Sequence, residues 1–119
     1  MTYQYINLDY LYKHANGNME IVAEMLRLSI LNVKMYQKEL VEYFSNGSWY
    51  KLAESAYWAK QKLPLVGLID VSLKMNQLEK LAHAKANPDE MRVFVQEFDQ
   101  IAPTIIEELE NEMQKIILE

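Results

Sequence analysis

The chain has 119 residues, no cysteine, three glycines and three prolines, half of its residues hydrophobic, and a net charge of −5. That length makes one domain over 1–119 with a core that needs no staple, and without thiols there is no cysteine nucleophile, disulfide framework or Cys-ligated zinc. Seventeen acidic against 12 basic residues disfavour nucleic acid and anionic membrane, both polyanions. The opening MTYQYINLDY carries no basic-then-apolar leader, and no window nears the ~20 apolar residues of a membrane span. A cytoplasmic protein is expected.

Apolar residues recur at helical rather than alternating spacing almost throughout, so the chain reads as all-α. A short first helix is expected from about Leu8 to Ala15, with Asn7 or Asp9 able to accept from its free amides. Asn16-Gly17-Asn18 ends it, Gly17 taking a left-handed conformation and Asn18 capping the next helix. The second helix runs from about Met19 to Phe44. Its stripe of Met19, Val22, Leu26, Ile30, Val33, Leu40 and Phe44 is widened by Met25, Leu28, Leu31 and Met35, enough to contact two neighbours. After Ser45-Asn46-Gly47-Ser48, where Ser48 is placed to cap, a third helix runs from Trp49 to about Leu63.

Along that helix Trp49, Leu52, Ala53, Ala56, Ala59 and Leu63 form an apolar stripe of small residues facing the core. Glu54, Tyr57, Lys60 and Gln61 form a neighbouring face that looks outward. Pro64 ends the helix because it lacks an amide hydrogen and its ring crowds the carbonyl of Lys60. The fourth helix, about Leu68 to Ala84, points Leu68, Val71, Met75, Leu78 and Ala82 inward. Asn87-Pro88-Asp89-Glu90 opens the last one with a cap, a first-turn proline and two acids at the positive end of the dipole. Its stripe is Met91, Phe94, Phe98, Ile101, Ile105, Leu109, Met113 and Ile116, with a kink expected at Pro103. Short connections imply an up-and-down four-helix bundle behind a short leading helix.

The stretch WYKLAESAYWAKQKLPLVGLIDVSLKMNQLE, Trp49 to Glu79, resembles the histidine-containing phosphotransfer (HPt) domains. That family carries Ala-His-x-Leu-Lys-Gly-Ser, a Gly ten residues after the His, and Leu-Glu closing the next helix. Without a gap, this sequence has Ala56, Tyr57 in place of His, Ala59 for Leu, Lys60, Gln61 for Gly, Lys62 for Ser, then Gly67 and Leu78-Glu79. The resemblance implies an HPt-like fold that docks on receiver domains of response regulators or of hybrid histidine kinases. In the family the His carries a phosphoryl group, the Lys helps hold the phosphate, and the Gly after it gives room for the partner. Of these three only Lys60 remains, so the resemblance implies the docking scaffold without the chemistry.

Tyr57 therefore occupies the phosphoacceptor-equivalent position, with a half-buried surface tyrosine as its ordinary alternative. A phenol with a pKa of about 10 stays protonated near neutrality and forms a stable phosphate ester, unlike imidazole, so relay through Tyr57 is not expected. Lys60 is either the phosphate-steadying residue or a solvated lysine, and Gln61 adds bulk where a partner approaches. Trp58 departs from the apolar stripe and, if exposed, suits an interface. Partner binding is thus assigned to Glu54, Tyr57, Trp58, Lys60 and Gln61. His14 and His83 are the other conceivable phosphoacceptors and read more simply as surface histidines at helix ends. A di-metal bundle site needs two inward Glu-x-x-His pairs, and none occurs. Glu107, Glu108, Glu110 and Glu112 read as the solvated face of the last helix. No enzyme activity, cofactor or metal is expected, and the protein is expected to be a monomer. A helical module that self-associates through its terminal helix is the reading outside signalling.

Overall fold

A computed structural model describes residues 2–118, the side chain of Leu118 excepted. Five α-helices follow in order: α1 (Asp9–His14), α2 (Met19–Ser45), α3 (Trp49–Lys62), α4 (Ile69–His83) and α5 (Pro88–Leu118), with a single 3₁₀ turn (Leu63–Val66) between α3 and α4. Each long helix packs on the next, and α5 closes the ring against α2. The result is an all-α four-helix bundle with the short α1 set against its end.

Local chemistry explains most boundaries. Asn16 and Gly17 take positive φ after α1, and the Asn18 side chain accepts from the amides of Glu20 and Ile21. The Asn7 side chain accepts from Asp9 and that of Asn87 from Asp89, each satisfying one first-turn amide. Ser48 differs from expectation: its side chain makes no capping bond, and only its backbone carbonyl, accepting from Leu52, starts the helix. Pro64 converts the end of α3 into the 3₁₀ turn, which Gly67 closes at φ +81°. At Pro103 the chain stays helical, with the proline exposed, so the missing bond does not interrupt α5.

The core is one cluster fed by every helix. Leu52, Ala53, Ala56 and Ala59 of α3 are completely buried, as are Leu78 of α4 and Met91, Ala102, Ile105 and Leu109 of α5. Alanine at three of the α3 positions lets α4 approach closely. Two stripes depart from expectation. In α2, Ser29 and Tyr36 take inward positions, while Met19, Leu28, Leu31 and Met35 lie exposed. A 3.6-residue period rotates past a stripe that wide, and only the side meeting α3 and α5 is covered. In α5, Val95 and Ala102 are buried, and Phe94, Ile101, Met113 and Ile116 sit at the rim.

The acidic run of α5 is also corrected. Glu107 and Glu110 are exposed, but Glu108 is buried. Its Oε2 accepts from the amide of Gln4 at 2.7 Å, and its Oε1 from those of Tyr5 and Ile6 at 3.0 and 3.1 Å. One turn on, Glu112 accepts from the hydroxyls of Tyr3 (2.7 Å) and Tyr12 (2.5 Å), with the Lys115 ammonium 3.7 Å away. Burial alone would raise the Glu112 carboxyl; the two phenol hydrogen bonds and Lys115 outweigh it and hold the group below the usual range. Burial first, and donation to Glu112 second, push the Tyr3 phenol up. Two carboxylates thus clasp the N-terminal segment to the last helix. That segment runs on to Asn7, whose amide donates to the carbonyl of Val66 at 3.0 Å, closing over the α3–α4 corner.

Candidate functional site

The residues singled out on α3 fall on its outer side. Glu54, Tyr57, Trp58 and Gln61 are exposed and Lys60 is half-buried, because the alanine stripe opposite fixes which way the helix faces. Tyr57 is 38 % and Trp58 48 % exposed. Their rings meet edge to face, centroids 5.2 Å apart, an arrangement that holds both side chains without covering them. Towards α2, Trp58 borders a crevice shared with Met35, Tyr36, Glu39 and Ser55. Ser55 donates to Glu39 at 3.0 Å, bridging α2 and α3. Burial, and then the charge of Glu39, push the Tyr36 phenol up, so it stays protonated.

Towards α4 the arrangement is ionic. The Lys60 ammonium donates to Glu79 Oε1 at 2.6 Å and to Asn76 Oδ1 at 2.9 Å, and lies 5.2 Å from the centroid of the Tyr57 ring. The Ser72 hydroxyl donates to the carbonyl of Lys60 at 2.7 Å. Glu79 is only 14 % exposed and its other oxygen stands 3.6 Å from His83 Nε2. The sheltered position of the Lys60–Glu79 pair sets it apart from an exposed surface pair, which contributes little. An anion arriving at Tyr57 therefore meets a lysine already paired with a carboxylate. His83 lies at the edge of this network, on the exposed end of α4, whereas His14 stacks on Tyr10 at the end of α1.

Cations and aromatics alternate along the outer side of α3. Lys51 lies 5.9 Å from the Tyr43 ring of α2 and Lys62 5.9 Å from the Trp58 ring, and Tyr50 is exposed at the start of α3. With Lys51, Lys60 and Lys62 against the single acid Glu54, α3 is basic within a chain of net charge −5. Beyond Gln61 the face opens into a groove of about 710 Å³, walled by Tyr10, Pro64, Leu65 and Ile69. Among the described residues no group of three or more His, Cys, Asp or Glu could hold a metal ion, and no helix is long and apolar enough to cross a membrane.

Sequence reasoning located this face but missed the partners of Lys60. Glu79 stood out only as the end of a pattern, and Asn76 and Ser72 not at all. Their spacing of three, four and seven along α4, which puts them on one side of that helix, was the available signal. Comparison of the chain with known protein families, with curated proteins and with solved structures returns no match.

Proposed function

We propose that this protein is a non-transferring, HPt-like signalling module of the cytoplasm. It docks on the receiver domain of a response regulator or hybrid histidine kinase through Glu54, Tyr57, Trp58, Lys60 and Gln61, acting as adaptor or competitor in a phosphorelay rather than as an enzyme. The observation that carries this reading is the exposed Tyr57–Trp58 pair at the register where the resembling family bears its phosphoacceptor. Aromatic anchors ringed by cations suit an acidic partner surface, since such anchors supply most of the affinity at an interface and charge sets orientation and encounter rate. Occupation of Lys60 by Glu79 and the stability of a phenol phosphate ester both support docking without transfer.

The double change Tyr57→His with Gln61→Gly tests the frame. Incubated with phosphorylated receivers from the same organism and read by intact mass, the variant should gain one acid-labile phosphoryl group while the parent gains none. Acid-labile phosphate on the parent would instead assign transfer to His14 or His83. A variant that binds a receiver yet accepts nothing would show that Tyr57 does not stand at the acceptor position.

A further inference from the structure

The apolar residues that α2 leaves uncovered are not scattered. Ile21, Leu28, Leu31 and Met35 are each 41–51 % exposed, and with Glu24 and Lys38 they recur at steps of three and four from 21 to 38. That is the spacing of a coiled-coil seam, in which helices meet along a stripe repeating every seven residues. α5, the helix expected to self-associate, has its own stripe turned into the core. The free seam belongs to α2.

We infer that this seam pairs with the α2 seam of a second copy of the chain, the two helices running antiparallel. Charge chooses both occupant and direction. Glu24 and Lys38 are the polar positions on the seam, each seven residues from Leu31 on opposite sides. Parallel pairing sets Glu24 against Glu24 and Lys38 against Lys38. Antiparallel pairing about the Leu28–Leu31 layer packs each leucine on the other copy's partner leucine and brings each Glu24 within about one helical turn of the opposing Lys38. Glu20 and Glu24 before the leucines and Lys34 and Lys38 after them follow the same division, whereas exposed Arg27 is tied to Glu24 and exposed Glu42 lies beyond the seam. Within its own chain Glu24 accepts from Arg27 through both carboxylate oxygens, at 2.5 and 3.0 Å, so Lys38 of the second copy joins or displaces that pair. A seam complementary to its own reversal needs no other protein to complete it.

Sedimentation of the whole protein from low micromolar to near-millimolar concentration reads the outcome. The parent should pass from monomer to dimer, and Leu31→Glu should weaken the dimer at least about tenfold. Leu31 is half-exposed, so the variant should keep its helical circular dichroism. Glu24→Lys and Lys38→Glu should each weaken the dimer, and the two together should restore it. A parent that stays monomeric, as a seam kept for a helix of another protein would, overturns the inference. So does a dimer indifferent to Leu31→Glu, or a double charge reversal that fails to restore pairing. None of these readings depends on receiver binding.

Discussion

Replacing Gly67 by alanine should destabilise the protein by roughly 3–5 kcal/mol, among the larger effects available to one methyl group. Two costs combine. At φ +81° a left-handed backbone costs a residue with a Cβ about 1–2 kcal/mol. The added methyl would also overlap the carbonyl oxygen of Asn7 and stand 2.6 Å from its amide nitrogen. Both are backbone atoms, so relief requires moving the N-terminal segment and breaking the Asn7 to Val66 hydrogen bond. Gly17 makes the contrast: its φ is +79° but nothing lies near its absent Cβ, so Gly17→Ala should show only the conformational cost. Urea denaturation of the two variants should separate them by about 2 kcal/mol or more. Equal midpoints would mean that the segment is not seated against Gly67.

The second large effect is expected at Glu108. Glu108→Ala removes the acceptor of three backbone amides at Gln4, Tyr5 and Ile6. Hydrogen bonds to a charged group contribute about 1.5–3 kcal/mol each, and partial rehydration of the freed amides returns part of that, so the net loss should be about 2–4 kcal/mol. The neighbouring Glu107 is exposed, and Glu107→Ala should stay within about 0.5 kcal/mol of the parent. Hydrogen exchange supplies the local readout: protection at Gln4, Tyr5 and Ile6 should fall in Glu108→Ala and not in Glu107→Ala. Unchanged protection would contradict the clasp.

These two residues mark where the sequence stops being legible. Periodicity placed every long helix to within a residue or two, because a half-covered helix must segregate its apolar side, and Gly, Asn and Pro punctuated the ends for steric reasons. The outward set on α3 was legible for the same cause: Ala53, Ala56 and Ala59 leave only one way for the helix to face. Hydrogen bonds across many residues leave no such trace. Glu107 and Glu108 are identical in composition and adjacent in sequence, yet only Glu108 points at the N-terminal segment. Likewise Lys60 reads as an open cation until α4 brings Glu79 and Asn76 to it. Leu28, Leu31 and Met35 failed in the opposite direction, since hydrophobicity alone does not say which side of a wide stripe a bundle covers.

The face around Tyr57 is most directly tested by binding of the purified protein to a panel of receiver domains from its own organism, with and without a phosphate mimic, followed by tryptophan fluorescence. Because Trp58→Ala removes the reporter and leaves only Trp49, the affinities of the variants are read by calorimetry. At least one receiver should bind saturably, and Trp58→Ala or Tyr57→Asp should weaken that binding about tenfold or more, as loss of a central anchor does. Absence of binding across the panel, or binding indifferent to both changes, would contradict the assignment of this face to receiver docking.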